Sequence, residues 1–393
     1  MRHHPDRKQP SQHPPSLNLH PDLKMNINTC IMQPTGYIHS LGLLDPARYL
    51  RHQLKKFGTQ VTLSKNRLQH GAINFIFGAH LGFDAAQRQR HTCIFVNLEQ
   101  LGQGGAQVPK SYLDLLSSSA VVDYDPENIP AYTKYPEDVP IAHFVNAPYL
   151  AHENEQPPVQ IADRPIDLLF FGSMNERRKK MISRIEMQGV SVSIFDKPIY
   201  CAERDYYIRQ AKAVLNCHFY ESSRFEQVRV SHCLSLGTPV VSERNINTNP
   251  APFYEDAVSW FSDENIEEFF SSKFGTPAWQ EQAQNQLAYF KQLDATDNFA
   301  EILEFAQGYH QGHARHVTAG PWRPVRMNLG SGKDYKPGWL NVDILERAEP
   351  DVAMDLSQKV QLPIDMKSRT CGLVHLSRGQ FETIYANNVL EHV

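Results

Sequence analysis

Residues 166–185, IDLLFFGSMNERRKKMISRI, read as a buried strand, a glycine turn at Gly172 and the start of a basic helix, the opening of an α/β unit. Downstream, VSVSIF (190–195), KAVLNCHFY (212–220) and GTPVVSE (237–243) supply further strands. Residues 278–308, with Leu287, Phe290, Leu293, Ile302, Leu303 and Phe305, form a helical closing segment interrupted near ATDN. Upstream, AHENEQPPVQIADRP (151–165) is polar and proline-containing and reads as a crossover between domains.

The sequence before that crossover has the same pattern. NTCIMQP (28–34), TQVTL (59–63), AINFIFGAH (72–80), TCIFVNLEQ (92–100) and AVVDYD (120–125) read as strands. Asp45 followed by Pro46 fits an N-cap and first helical position. Leu50, Leu54 and Phe57 then recur at helical spacing, and Gly58 sits where a left-handed cap would end the element. A further helix is expected near Ser111 to Ser117. Strand and helix alternate as in a parallel, doubly wound sheet.

After QGHARHVTAGPWRP, a linker, VRMNLGSG (325–332) is a short strand running into a glycine turn, and LNVDI (340–344) is a strand ending in an acid. MDLSQKVQLPID (354–365) and ETIYANNVLEHV (382–393) are expected to bring a third and fourth strand. The fold class is therefore α/β: two Rossmann-like domains followed by a partial third. The divisions expected are 1–24 as a disordered arm rich in His, Pro and Gln, then 25–150, 151–308, a linker over 309–324, and 325–393. About 70 residues are fewer than a domain of this kind needs for its own core, so the third unit is expected to be truncated.

Composition narrows the function. The formal net charge of -4 and the sequence pI near 6.5 give no broad basic field, which argues against nucleic acid as a partner. Six cysteines, Cys30, Cys93, Cys201, Cys217, Cys233 and Cys371, include no CxxC pair, so neither a disulfide framework nor a metal site is expected, and a reducing cytoplasm is. No apolar run approaches the ~20 residues of a membrane span, and no secretory signal fits the first 24 residues.

Several residues carry candidate chemistry. Asn97, Glu99 and Gln100 end a strand at the sheet edge, where open α/β folds bind ligands. Glu99 is the candidate acceptor-side base or orienting group. His80 is an equal candidate base, because imidazole titrates near neutrality, and equally reads as a core histidine. His218, in the middle of LNCHFY, reads as structural. Gly330 and Gly332 let backbone approach a ligand, and Asp343 can accept ribose hydroxyl protons.

NFIFGAH, FVNLEQ, DLLFFGSMNERR and the run LNCHFYESSRFEQVRVSHCLSLGTPVVSE resemble GT-B glycosyltransferases over about residues 28–270, and more narrowly a bacterial group often fused to methyltransferases. That resemblance implies two Rossmann-like halves facing a cleft, with a nucleotide-sugar donor on the second half and a glycan or lipid-linked acceptor on the first. It also implies donor-binding roles for Gly172, Ser173, Arg177 and Arg178, at a turn and helix N-terminus suited to a diphosphate. Lys179 and Lys180 read equally well as a solvated helix face. Glu226 would hold sugar or ribose hydroxyls, and Arg229 would neutralise the departing diphosphate without a metal, near Gly237, Thr238 and Pro239. Retaining members often carry two glutamates eight positions apart; here Arg224 and His232 occupy those positions. Glu243 is a second carboxylate candidate, or an exposed strand-end acid.

The third unit resembles class I S-adenosylmethionine (SAM)-dependent methyltransferases through NLGSG, WLNVD, the Leu362-Pro363 pair and LEH. By that resemblance Gly330, Ser331 and Gly332 wrap the methionine part, Asp343 the ribose, and Asp355 with Leu356 the adenine edge. Asn387 and Asn388 border the methyl-transfer pocket. The expected activity is glycosyl transfer with an incomplete SAM-dependent extension. Alternatives are methylation of an acceptor that the front domains recognise, or a non-catalytic nucleotide-sugar-binding module.

Overall fold

The computed structural model describes residues 25–154, 159–195, 197–314, 320–368 and 370–386. The arm expected over 1–24 and the candidates Asn387 and Asn388 lie outside the described residues.

The first unit is a five-stranded parallel sheet built from β1 (Asn26–Ile31), β2 (Gln60–Lys65), β3 (Ile73–Phe77), β4 (Thr92–Asn97) and β5 (Ala120–Asp123), in the order β2-β1-β3-β4-β5. Strands β3, β4 and β5 are buried at every position, as expected for a parallel sheet covered on both faces. Helices α1 (Leu44–Lys55), α2 (Lys110–Ser117) and α3 (Pro148–Glu153) belong to this unit. Asp45 is not an N-cap. A 3-10 turn over Ile38–Leu43 runs straight into α1 and its N-cap position is Leu43, which frees the Asp45 carboxylate for a contact described below.

The second unit repeats that topology. β6 (Ile166–Phe170), β7 (Val192–Ile194), β8 (Ala211–Asn216), β9 (Val240–Glu243) and β10 (Ser259–Phe261) are all parallel, in the order β10-β9-β8-β6-β7. With the second sheet read from its opposite edge, both have the order 2-1-3-4-5, so in each the order of strands reverses beside the first strand. The helices are α4 (Glu176–Glu186), α5 (Cys201–Gln210), α6 (Gln227–Ser235), α7 (Ile266–Glu268) and α8 (Pro277–Lys291). Strand β10 and helix α5 were not expected from the sequence.

The closing segment breaks into α8 and α9 (Thr296–Ala314), and α9 extends past the boundary expected at 308. It also crosses back to the first unit, packing on α1, β3 and β4. Phe299, Ile302, Leu303 and Ala306 enter an apolar cluster that includes Tyr49, Phe144, Phe225 and Tyr254 and so runs through both units.

The third unit is a four-stranded parallel sheet, β13-β12-β11-β16, of β11 (Arg326–Leu329), β12 (Leu340–Asp343), β13 (Val352–Ala353) and β16 (Thr383–Ala386). Between β13 and β16 an antiparallel hairpin intervenes, β14 (Ile364–Ser368) with β15 (Gly372–Leu376). The expected third strand over 354–365 is therefore displaced: the parallel strand ends at Ala353, Asp355 opens a turn, and Ile364 begins the hairpin. The unit docks on the first through Arg67, which donates to the Ala348 carbonyl at 2.8 Å, and Arg90, which donates to that of Cys371 at 3.1 Å. His91 Nε2 lies 2.6 Å from the Thr370 carbonyl.

Candidate active site

Ligands of open α/β sheets bind outside the carboxyl ends of the strands, near the point where strand order reverses. In this chain a cleft of about 580 Å³ lies there between the first two units. One wall comes from the segments after β1 (His39, Gly42, Leu43, Asp45), after β4 (Leu98, Glu99, Gln100) and after β5 (Tyr124). The opposite wall comes from Phe171 to Met174 after β6, Ile194, Phe195 and Lys197 to Tyr200 around and after β7, Tyr220 after β8, and Glu226, Arg229 and His232 of the α6 region.

Gly172 has φ +135°, a left-handed backbone that side chains rarely adopt. A Cβ there would also press on the guanidinium groups, lying 3.1 Å from Arg229 Nη2 and 3.3 Å from Arg178 Nη1. Arg178 is 2% exposed and shapes this turn from beneath. It donates to the carbonyls of Cys217 and Ser173 and lies between the rings of Phe170 and Phe219. Burial lowers its pKa to about 10, still ionised at neutral pH. Arg229 donates to Asn216 Oδ1 at 3.1 Å and forms no ion pair among the described residues. Its charge is thus free to meet an anion above the Gly172 turn.

Glu226 stands beside them. Its Oε2 accepts from Asn216 Nδ2 at 3.0 Å and lies 3.1 Å from His218 Nδ1. Burial pushes its pKa up, but His218, Arg229 and Arg178 outweigh burial and hold it at about 2. It is a carboxylate that accepts hydrogen bonds rather than a reservoir of protons. On the facing wall, Glu99 lines the cleft with His80 Nε2 3.5 Å from its Oε1, and the His80 ring meets Tyr112 edge-on.

Other sequence candidates are placed elsewhere. Arg177 and Glu243 form a two-pronged pair, and Glu243 also accepts from the His218 amide, so Glu243 is buried at 3% exposure rather than presented at a strand end. Thr238 is fully buried, donating to the Ile208 carbonyl and accepting from Arg164, while the Gly237 carbonyl accepts from the same guanidinium. Neither is among the residues lining the cleft.

Of the two positions that depart from the paired-glutamate pattern, Arg224 bridges the units directly and His232 contacts a residue pair that does. Arg224 reaches the first unit, donating to Glu127 at 3.0 Å and to the Leu101 carbonyl at 2.8 Å, with Asp125 at 3.7 Å. His232 Nε2 lies 2.8 Å from Asp205, whose neighbour Arg204 contacts Asp45 of the first unit at 2.8 Å. Across the cleft mouth His39 Nδ1 meets Tyr200 Oη at 2.8 Å. Asp45, Arg204, His39 and Tyr200 were missed, since partners 159 or more residues apart leave no spacing signal.

In the third unit Gly330 and Gly332 have φ of +60° and +46°. Asp343 accepts from the amides of Gly332 and Leu345, both at 2.8 Å, and the Ser331 hydroxyl is buried without a hydrogen-bond partner among the described residues. Asp355 accepts from Ser357 and Gln358 on an exposed turn, and Leu356 packs on the unit's small core.

No family model matches the chain. It is 27% identical over 163 residues to uncharacterized protein L140 of Acanthamoeba polyphaga mimivirus, covering 39% of this chain and 49% of that protein, so the match spans about half of the relative's length. Among solved structures it is similar to WaaG, a glycosyltransferase involved in lipopolysaccharide biosynthesis (TM-score 0.46, 12% identity, 72% of this chain and 100% of that one). Anabaena HepE in complex with UDP and glucose gives a TM-score of 0.44 at 12% identity, with 72% and 100% covered. TarM gives 0.38 at 10% identity, with 63% of this chain and 55% of that one covered.

Proposed function

We propose that the chain is a GT-B-type glycosyltransferase that moves a sugar from a nucleotide-diphosphate donor to a glycan or lipid-linked acceptor. The observation that carries this reading is the cleft at the carboxyl ends of two parallel sheets, where the turn at Gly172 meets Arg229, a guanidinium with no ion pair among the described residues. The amides of the Gly172-Ser173 turn and Arg229 would bind the diphosphate and stabilise it as it departs, so charge is neutralised without a metal. Glu226 would accept hydrogen bonds from donor hydroxyls. Glu99, with His80 beside it, would orient or deprotonate the acceptor from the first unit. Thermal unfolding with UDP, GDP, dTDP and CMP sugars tests the reading. A ligand at 100 times its dissociation constant adds about 2.7 kcal/mol if it binds only the folded state. Stabilisation by one donor, lost in Arg229→Ala, supports it; no response to any donor counts against it.

A second reading concerns the third unit, which would bind SAM. It is favoured by the strand order 3-2-1-4, the Rossmann sequence once the hairpin is set aside, with Gly330 and Gly332 after the first strand and Asp343 ending the second. Stabilisation by S-adenosylhomocysteine, abolished by Asp343→Ala, supports it.

A further inference from the structure

His218, two residues past the end of β8, is fully buried, yet both ring nitrogens are engaged by side chains. Nδ1 lies 3.1 Å from Glu226 Oε2 and Nε2 lies 2.9 Å from Thr248 Oγ1. The backbone on either side of the ring is fixed as well: the His218 amide donates to Glu243, and its carbonyl accepts from Arg177 at 2.9 Å. The Arg177 and Glu243 pair therefore sets the height of the ring beneath the cleft.

The two oxygens of Glu226 are in different situations. Oε2 takes hydrogen bonds from both Asn216 and His218. Oε1 is buried and has no hydrogen-bond partner among the described residues; Arg178 Nη2 is 3.8 Å away. Buried polar atoms in native proteins are almost always paired, so an orphaned carboxylate oxygen on a residue that lines a cleft marks the place of a missing donor. Glu226 lines the cleft, so that donor arrives from it. A carboxylate accepts and never donates, which requires the incoming group to carry a hydrogen.

Resting on the glycosyl-transfer reading, we infer that His218 is a positioning residue: it donates from Nδ1 to Glu226 Oε2 and so turns Oε1 to accept a hydroxyl of the donor, from its sugar or its ribose. Thr248 fits this arrangement. Its oxygen lies 2.9 Å from Nε2, accepts from the Asn245 amide at 3.1 Å and has Asn245 Oδ1 at 3.4 Å to donate to, so it holds the far side of the ring in place.

Two amide variants separate the ring's two contacts. His218→Asn places an amide nitrogen near the site of Nδ1 and keeps the donor to Glu226; His218→Gln reaches toward Thr248 and loses it. Titration calorimetry with inorganic pyrophosphate, the free nucleoside diphosphate and the sugar nucleotide that stabilises the wild type reads the consequence. Losing this hydrogen bond is expected to weaken the sugar nucleotide about tenfold in His218→Gln, with His218→Asn within about threefold of wild type. Pyrophosphate has no hydroxyl and is expected to bind both variants within about twofold of wild type. Weakening of the free diphosphate as well assigns the hydroxyl to the ribose; weakening of the sugar nucleotide alone assigns it to the sugar. Glu226→Gln combined with His218→Gln is expected to cost no more than Glu226→Gln alone, because the two act as one unit.

The inference is overturned if pyrophosphate weakens as much as the sugar nucleotide, which is the signature of a generally disordered site, or if the two substitutions add. Failure of the wild type to bind any of the three probes is a different result. It removes the glycosyl-transfer reading, and this inference with it.

Discussion

Arg224→Met should destabilise the chain by about 3 kcal/mol at neutral pH, and by less at pH 5. Arg224 is 7% exposed and comes from the second unit, but its guanidinium contacts lie in the first. Removing it strips a buried donor from the Leu101 carbonyl, worth about 1–3 kcal/mol. It also leaves Asp125 without its cation, and breaking a buried pair costs about 3–5 kcal/mol, though 3.7 Å puts this pair at the weak end. Glu127, 45% exposed, adds at most about 1 kcal/mol. The pH dependence follows from Asp125, which burial pushes from 3.8 up to about 6 although Arg224 opposes the shift. An acid with a raised folded pKa favours the folded state while protonated, and that advantage is lost as pH rises from 3.8 through 6. Without Arg224 the carboxyl rises further. At pH 5 it is largely protonated in both proteins; at pH 7.5 the variant loses about 1.4 kcal/mol more for each further unit. Urea unfolding at the two pH values, followed by intrinsic fluorescence, measures the difference. A loss below 1 kcal/mol, or an equal loss at both pH values, refutes the reasoning.

Other outcomes follow from the same contacts. Gly172→Ala places a Cβ against Arg229 in a backbone suited only to glycine, so it should cost about 1–3 kcal/mol of stability by thermal unfolding and abolish sugar-nucleotide binding. Glu226 is held near 2, below its ordinary 4.5, so the stability it contributes is complete above 4.5 and drains away as pH falls toward 2; the stability gap between wild type and Glu226→Gln should narrow over that window in acid titration. Arg67 and Arg90 tie the third unit to the first, and the double alanine variant should speed hydrogen exchange in β11 and β12 while leaving β3 and β8 unchanged.

Local signals in the sequence were strong where one residue answers to its own neighbours. Strands β1 to β9, the break between α8 and α9, and the turn at Gly172 are legible because apolar runs and glycine report on adjacent backbone. Long-range pairing is not. Asp45-Pro46 has the form of a helix cap, and Asp45 instead meets Arg204, 159 positions away. Glu243 reads as an exposed acid at a strand end, and Arg177 covers it from the neighbouring helix. Helix α9 has the composition of a closing helix of the second unit; only the assembled apolar cluster sends it back to the first. β10 is three residues long, as is β7, but β7 lies within the longer alternating run VSVSIF. The replacement of paired glutamates by Arg224 and His232 is visible in the sequence, but the carboxylates they meet are supplied by loops and helices far along the chain.

The most direct measurement is hydrogen-deuterium exchange of the full chain with and without the sugar nucleotide that gives the largest thermal shift. The account predicts protection at residues 171–174 and 226–232, together with 98–100 on the facing wall, and loss of that protection in Arg229→Ala. Protection confined to 330–332 and 340–344, with the cleft unchanged, would contradict it and move the nucleotide site to the third unit.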